Sequence, residues 1–244
     1  LAPGASIYLP PNIAGYVGGD HVAMVLATGA QRTERVTIAL DIGTNTEISL
    51  AAHGRLFSCS CASGPTFEGA HIRDGMRAAP GAVERVQMVD GEVRVQTVGA
   101  AAPVGICGSG ILDAVAELRR MGIAEVSGRL RRGAPRVREA PGGGAFEFVP
   151  AVASGHGRAI EVTRKDIHEV QLAKGAIRAG VETLLRVANV PAAAVEDFII
   201  AGAFGTYLDL GSALAVGMFP ALPRERFRQV GNAAGVGARR MLLG

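Results

Sequence analysis

The stretch Val36–Leu50, which reads VTIALDIGTNTEISL, decides the fold that we predict for this chain. Aliphatic residues alternate with other residues on both sides of a short polar turn, which is the pattern of two antiparallel strands. The turn itself is Asp41-Ile42-Gly43-Thr44-Asn45-Thr46-Glu47. An acid ends the first strand, and a glycine and short donor-rich side chains follow it. The stretch therefore predicts a β-hairpin with a polar bend.

The polar bend has two interpretations. Successive backbone N–H groups at such a turn form a concave anion site, and Asp41 would hold a metal ion or its water. A phosphate–magnesium site follows, with Asp41 as the metal-binding acid and Glu47 beside it. The alternative is a plain Gly/Asn hairpin turn, which needs neither acid.

Length and composition limit the possible classes of protein. The 244 residues suffice for one large domain or two lobes with a full core. Hydrophobic residues make up 48% and aromatic residues 5%, which suits helices packed closely on a sheet. The net charge of +3 comes from 25 basic and 22 acidic residues and does not indicate a nucleic-acid binder. Since no run approaches the roughly 18 apolar residues of a membrane helix, we expect no membrane partner.

The first residues of the chain indicate whether it is a fragment, and its cysteines indicate the redox state of its compartment. The chain begins at Leu1 without a Met and without the features of a signal peptide, so we expect a fragment of a longer protein. Cys59, Cys61 and Cys107 are too few for a disulfide framework. They favour a reducing compartment, and we expect a cytoplasmic protein.

The periodicity of the hydrophobic residues and the positions of Gly and Pro predict an alternation of strands and helices along the rest of the chain. In chain order we predict a strand at 7–12, a helix at 21–28 with Asp20 as its N-cap, a strand at 55–62, a helix at 67–77, a β-hairpin within 82–99, a helix that opens at 105–110, a loop and edge strand at 128–157, a long helix at 163–189, a buried strand at 198–201, a helix at 210–216, a strand at 227–230 and a closing helix of small residues. The residues Thr163-Arg164-Lys165-Asp166 have the pattern of a capping box at the start of the long helix.

Several positions on these elements carry open alternatives. Lys174 falls on the apolar stripe of the long helix, where it either snorkels along apolar surface or reaches into a ligand cleft. Gly175 and Gly180 in the same helix indicate close contact with backbone or ligand. Gly108-Ser109-Gly110 is a weak phosphate loop, and its alternative is a Ser109 N-cap with closely packed glycines.

Two further stretches are candidates for binding. Gly202-Ala203-Phe204-Gly205 connects a buried strand to a helix, and open α/β sheets bind ligands just beyond the carboxyl ends of their strands. The run from Arg129 to Arg138 is either a solvated face or a docking patch for an acidic partner.

In this order the elements resemble one lobe of the actin-like ATPase superfamily. The resemblance implies an α/β fold, with a mixed five-stranded sheet, helices on both faces and a small β-rich insertion. More narrowly, eight segments are similar to the C-terminal half of the reductive activators of corrinoid proteins. These segments are LPPNIAGYVGGD, LDIGTNTEI, ASGPTFEGAHIRDGMRA, GAVERV, GICGSGILD, KDIHEVQLAKGAI, IIAGAFGTYLD and VGNAAGVGA.

The resemblance implies a longer protein with a two-lobed ATPase. Complete members carry an N-terminal [2Fe–2S] domain and use ATP with Mg²⁺ to reduce a Co(II) corrinoid to Co(I). Residues 1–30 would be a connecting segment from a missing first lobe, and residues 31–244 the second lobe with its insertion at about 80–160. The implied partner is the corrinoid protein of a methyltransferase system, and a homodimer is expected. We expect no hydrolysis from this half alone, because the phosphates are clamped between two lobes.

The resemblance also assigns site residues, motif by motif. Asp41 and Glu47 would be the catalytic acids, and Asp41 would bind the metal. The residues that would bind the nucleotide are Gly43, Thr44 and Asn45 at the phosphates, Gly64 closing the phosphate side, Gln171 and Lys174 at the ribose and adenine, and Gly202, Ala203, Phe204 and Gly205 in the adenosine loop. Residues 14–28 and 231–243 look like the two connecting helices at the hinge.

Two rival functions remain open. Cys61 also resembles the cluster-ligating cysteine in activators of 2-hydroxyacyl-CoA dehydratases, which carry a [4Fe–4S] cluster, and Cys107 is the distant candidate for a second ligand. The other rival is a non-catalytic interaction module that has lost its nucleotide and docks a partner through Arg129–Arg138.

Overall fold

The computed structural model describes residues 3–139 and 142–243. The chain divides into two compact units. The sheet unit comprises the chain up to Cys61, Ala179–Thr206 and the chain from Leu222 onward. The hairpin unit comprises Ala62–Arg178 and Tyr207–Ala221. None of the helices in the described ranges is long and apolar enough to cross a membrane.

Strands and helices alternate along the chain. The strands are β1 Thr37–Ile42, β2 Thr46–Ala52, β3 Arg55–Cys61, β4 Ala82–Val89, β5 Glu92–Thr97, β6 Gly105–Ile106, β7 Val137–Arg138, β8 Ala145–Val149, β9 Ile160–Thr163, β10 Asp197–Ala201 and β11 Phe227–Gly231. The helices are α1 Gly19–Thr28, α2 Gly108–Arg120, α3 Arg164–Val187, α4 Ala203–Tyr207, α5 Leu210–Ala215 and α6 Ala233–Leu243.

The sheet unit is built on a mixed five-stranded sheet in the order β11-β10-β1-β2-β3. β1, β10 and β11 run parallel, whereas β2 and β3 continue antiparallel from β1. The sequence Val36–Leu50 forms the predicted hairpin, with Leu40 opposite Ile48 and Asp41 opposite Glu47. The predicted five-stranded mixed sheet is confirmed.

Helices cover both faces of this sheet, as predicted. On one face Met24 of α1 and Ala233 of α6 pack with Ala39 and Ile199 in a buried cluster. On the opposite face the C-terminal part of α3 lies directly on β2 and β3, because Gly180 has no side chain to hold it away. A Cβ atom on Gly180 would overlap with Cys61 Sγ, so the close contact at this glycine is with a side chain and not, as predicted, with backbone or ligand. The predicted close contact with backbone does not form at Gly175, where an added Cβ atom has nothing within 4 Å.

The hairpin unit contains two three-stranded sheets, in the orders β5-β4-β6 and β7-β8-β9. Helix α2 packs closely on β4 at Gly110, where a Cβ atom would overlap with the carbonyl oxygen of Val83. The first turn of α3 has the predicted capping box. Asp166 Oδ2 accepts from Thr163 N–H at 2.7 Å, and Thr163 Oγ1 accepts from Asp166 N–H at 3.2 Å.

Two predicted elements do not form. Residues 67–77 are not an α-helix, since only a short 3₁₀ helix at Pro65–Glu68 is present. Gly69 then adopts φ +84°, and a Cβ atom on Gly75 would overlap with the carbonyl oxygen of Gly69, so these glycines fold the segment into a tight loop. Residues 7–12 form no strand, because Pro10 and Pro11 have no N–H to donate to a ladder.

Two predicted helix caps were also wrong. Helix α1 begins at Gly19 after Gly18, so Asp20 lies within its first turn, where its Oδ1 accepts from the N–H of His21 at 2.8 Å. Helix α2 begins at Gly108 after Cys107, and the Ser109 hydroxyl donates to the carbonyl oxygen of Glu84 at 2.9 Å. In both cases the polar side chain lies inside the first turn of the helix and does not cap it.

Candidate functional site

The candidate site lies where the three parallel strands of the sheet unit end. Asp41 on β1 pairs with Ala201 on β10, and Ala201 pairs with Gly231 on β11, so these residues form a row across the sheet. The hairpin bend follows Asp41, and the glycine corner follows Ala201. The two predicted binding turns therefore meet at one edge of one sheet, which is where open α/β sheets bind ligands.

Gly202 brings these two turns into direct contact. A Cβ atom added to Gly202 would lie 2.6 Å from Asp41 Oδ1 and 2.8 Å from the carbonyl oxygen of Ile42. The backbone of Gly202 has φ +93°, which residues with side chains rarely adopt, and its N–H donates to the carbonyl oxygen of Gly231 at 3.0 Å. Only glycine lets the chain cross the Asp41 carboxylate at this distance.

The hairpin bend is closed by a bond from the Gly43 N–H to the carbonyl oxygen of Asn45 at 3.1 Å. Gly43, Thr44 and Asn45 are exposed, whereas Thr46 is buried beneath them. The bend thus presents short side chains and backbone at the edge of the sheet, the arrangement expected of an anion-binding turn.

The negative charge of a third acid, Asp20, acts on both Asp41 and Glu47. Burial raises the pKa of Asp41, and the negative charge of Asp20 raises it further. Burial also raises the pKa of Glu47, and the negative charges of Asp20 and Asp41 raise it further. The hydroxyl of Ser60 opposes this shift, because it donates to Glu47 Oε1 at 3.2 Å. A cation at this edge would favour the ionised forms of Asp41 and Glu47.

Sequence reasoning missed Asp20 as a member of the site. It was assigned a capping role because it precedes an apolar helical stretch. The charge of Asp20 acts on Asp41 because α1 packs on the sheet, and no local sequence pattern encodes that packing.

His21, the next residue, was missed as well. Its Nε2 lies 2.7 Å from Ser49 Oγ, which in turn lies 2.7 Å from Ser58 Oγ. Burial lowers the pKa of His21 to about 4, against the opposing charge of Asp20. The imidazole is therefore neutral at pH 7, and this buried chain of hydrogen bonds fixes α1 and Asp20 beside the sheet.

The predicted adenosine loop forms the start of the short helix α4. Ala203 is exposed and Phe204 half-buried, whereas Gly205 is buried. Gly205 is held by the side-chain amide of Gln229, which donates to its carbonyl oxygen at 2.6 Å. A side chain on Gly205 would also meet Ile200, so the loop lies close to the sheet.

Three predicted nucleotide-binding residues, Gly64, Gln171 and Lys174, belong to the hairpin unit. Gln171 Nε2 donates to the carbonyl oxygen of Val126 at 3.0 Å. Gln171 and Lys174 line a cavity of about 230 Å³ between α2, α3 and the segment 214–217. Their contact with a nucleotide, like that of Gly64, stays a prediction.

The cysteines pack against backbone. Cys59 Sγ donates to the carbonyl oxygen of Gly180 at 3.9 Å, and its hydrogen bond with Cys61, together with burial, raises the pKa of Cys59. That same bond lowers the pKa of Cys61. Cys107 is buried in the hairpin unit, where its Sγ donates to the carbonyl oxygen of Val83 at 3.4 Å. The cluster alternative that paired Cys61 with Cys107 thus joins residues of different units.

The mixed sheet and the turns at its edge define a domain of the ASKHA, or actin-like, class. The model of one family, the C-terminal ASKHA domain of RACo, matches residues 35–244. The chain belongs to this family.

Relatives agree with this membership. The corrinoid activation enzyme RamQ of Eubacterium limosum is 35% identical over 252 residues, which cover 100% of this chain and 42% of the relative. The [Co(II) methylated amine-specific corrinoid protein] reductase of Methanosarcina barkeri is 30% identical over 262 residues, which cover 97% of this chain and 44% of the relative. The chain thus spans less than half the length of these relatives.

A solved structure has the same fold. The reductive activator for corrinoid, iron–sulfur protein superposes with a TM-score of 0.89 at 44% sequence identity. The match covers 97% of this chain and 38% of that one.

Proposed function

We propose that this chain is the nucleotide-binding C-terminal part of an ATP-dependent reductive activator of corrinoid proteins. In the complete protein, a [2Fe–2S] domain and a first ATPase lobe would precede it. ATP hydrolysis would support the transfer of one electron from the cluster to a Co(II) corrinoid, giving Co(I). The partner would be the corrinoid protein of a methyltransferase system, and the activator a cytoplasmic homodimer.

The observation that carries the proposal is the contact between Gly202 and Asp41. It joins a donor-rich hairpin bend to a side-chain-free corner at one edge of the sheet. Two relatives whose names refer to corrinoid proteins match this chain over nearly its whole length. These matches support the choice of reaction.

The residues present fit a magnesium–phosphate group. The hairpin bend Gly43–Asn45 would bind phosphate oxygens. Asp41 would hold Mg²⁺ or one of its waters, and Glu47, opposite Asp41 in the hairpin, would orient a water. Within the described ranges, no three His, Cys, Asp or Glu side chains form a metal cage. Mg²⁺ keeps several waters and takes ligands from phosphate and one or two carboxylates, so Asp41 would suffice as its protein ligand.

The other predicted residues complete the proposal. The loop Gly202–Gly205 would bind adenosine against its backbone. Gly64 would contact the phosphates, and Gln171 and Lys174 the ribose and adenine. Bound Mg²⁺ supplies positive charge that offsets the phosphates and favours the ionised form of Asp41, whose pKa burial raises.

The test is Asp41→Asn in the full-length protein. Co(I) formation from the Co(II) corrinoid partner is followed by absorbance with Mg-ATP and a reductant for the iron–sulfur cluster. We expect the variant to lose ATP-stimulated Co(I) formation, by about 100-fold or more if Asp41 positions the metal. Asp90→Asn, in an exposed turn of the hairpin unit, is the matched control and keeps activity. Unchanged ATP-stimulated activity in Asp41→Asn would overturn the proposal.

A further inference from the structure

A groove in the hairpin unit carries an unusual density of arginine. It has a volume of about 740 Å³. The five arginines that line it are Arg129, Arg131, Arg132, Arg138 and Arg164. The acids in the lining are Glu125 and Glu139, so the groove has an excess of positive charge.

Most of this charge is not neutralised. Arg132 faces Glu139 across 3.8 Å, with both side chains exposed, a geometry that contributes little. Arg129, Arg131 and Arg164 make no ion pair within the described residues. Three guanidinium groups therefore remain available to an anionic partner.

The remaining arginine is held in place. Arg138 donates from Nε and Nη2 to the two oxygens of Glu161, at 3.0 and 2.8 Å. Glu161 is buried and also pairs with Arg73, while its N–H donates to Asp74 Oδ2 at 2.9 Å. This network fixes one wall of the groove, so less side-chain freedom is lost when a partner binds.

The shape and chemistry of the groove favour a macromolecular partner. Small-molecule sites are mostly apolar and enclose their ligand. Here the lining is mainly charged, and the Arg132 side chain is 89% exposed. A single-stranded nucleic acid would call for aromatic stacking platforms, and the lining residues include no aromatic side chain. The arginines require a partner with anionic groups. An acidic protein segment supplies them, since arginine binds carboxylates in a bidentate geometry.

We infer that this groove is the docking surface for a segment rich in Asp and Glu on a protein partner. Arg129, Arg131 and Arg164 would pair with its carboxylates. The inference rests on the proposed function only in identifying the partner as the corrinoid protein. The groove lies in the hairpin unit, whereas the Asp41 and Gly202 turns lie in the sheet unit.

The test measures binding of the full-length protein to the corrinoid protein by calorimetry, at low and physiological salt. The variant is Arg129→Glu with Arg164→Glu, and the matched control is Arg224→Glu with Arg239→Glu, two exposed arginines of the sheet unit. We expect the groove variant to bind at least about tenfold more weakly and to show a smaller salt dependence, because reversed charges repel the acidic segment. Arg129→Lys with Arg164→Lys should restore most of the affinity.

The outcomes separate the two proposals. Thermal unfolding and Mg-ADP binding should match the wild type in the groove variant, which excludes misfolding and damage to the nucleotide site. Equal partner affinity in groove variant and wild type overturns the docking surface, as does an equal loss in the control. An oligonucleotide that competes with the partner at micromolar concentration would also overturn it in favour of nucleic acid. If the wild-type protein did not bind Mg-ADP, that result would count against the proposed function and not against the docking surface.

Discussion

Gly202 stands directly over Asp41, with only 2.6 Å between the Asp41 Oδ1 atom and the point that a Cβ atom of residue 202 would occupy. Strands β1 and β10 are parallel neighbours, so the two residues lie at the same edge of the sheet, where both strands end. This relationship brings an acid and an unobstructed backbone together, and it underlies the proposed binding of Mg²⁺ and phosphate.

Replacing Gly202 should weaken nucleotide binding. We expect Gly202→Ala to weaken Mg-ATP binding by the full-length protein at least about tenfold, because the new methyl group displaces the Asp41 carboxylate or the Ile42 backbone. Calorimetric titration measures the change. Gly54→Ala is the control, since Gly54 also has positive φ, +69°, but has nothing within 4 Å of its added Cβ. Should both variants bind like the wild type, the close approach at Gly202 has no part in binding.

Removing the charge of Asp20 should make its two neighbours more acidic. The negative charge of Asp20 raises the pKa of both Asp41 and Glu47, so Asp20→Asn is expected to lower both values. Carboxyl NMR titration of the protein without nucleotide measures them. Glu34→Gln, at an exposed acid of the same unit, should leave both unchanged. Identical titration curves in Asp20→Asn and wild type would contradict the clustering of these acids.

Replacing each of the two glycines of helix α3 by alanine should change the free energy of unfolding in opposite directions. Gly180→Ala forces a methyl group against Cys61 Sγ and Ile48, which we expect to lower the free energy of unfolding by about 1–3 kcal/mol. Gly175→Ala meets nothing within 4 Å and should raise it by up to about 1 kcal/mol, because alanine favours the helix. Chemical denaturation tests both. Adding Cys61→Ala should relieve part of the loss at Gly180, and equal effects of the two alanines would be inconsistent with this packing.

Asp113 should make stability depend on pH. Burial raises its pKa to about 6, opposed by hydrogen bonding to Ser212 and by the charge of Arg85, whose Nη1 lies 3.7 Å from Asp113 Oδ2. Since the folded state keeps this proton after the unfolded state has lost it, stability falls as pH rises from about 4 to about 6.

The comparison with Asp113→Asn isolates that effect. Between pH 4 and pH 7 the wild type should lose stability relative to the variant, on the order of 2 kcal/mol. Urea denaturation at a series of pH values measures the difference, and Asp90→Asn, at an exposed acid, should follow the wild type. A constant difference between Asp113→Asn and wild type across this range would show that Asp113 titrates normally.

Local sequence patterns were sufficient for most of the fold. The alternation in Val36–Leu50 predicted the central hairpin, and Thr163 with Asp166 predicted the start of α3, because both signals act over a few residues. The helix at 67–77 was wrong because Gly69 and Gly75 approach each other, a contact that periodicity does not register.

The candidate site was predicted in part. Asp41 and Gly202 were both identified from turns at the ends of buried strands, and parallel pairing brings them together. Asp20 and His21 were missed, because their place beside the sheet depends on how α1 packs. The arginine groove also needed the structure, since the run 129–138 alone does not show that Arg164 joins it.

The most direct test of the metal and phosphate site is anomalous diffraction from crystals of the full-length protein with Mn²⁺ and ADP. Mn²⁺ takes the place of Mg²⁺ and is located by its own scattering. We predict one manganese peak beside the Asp41 carboxylate, in contact with it directly or through one water, and phosphates over the bend at Gly43–Asn45. A manganese–ADP complex bound away from Asp41 and Gly202 would contradict the proposed site.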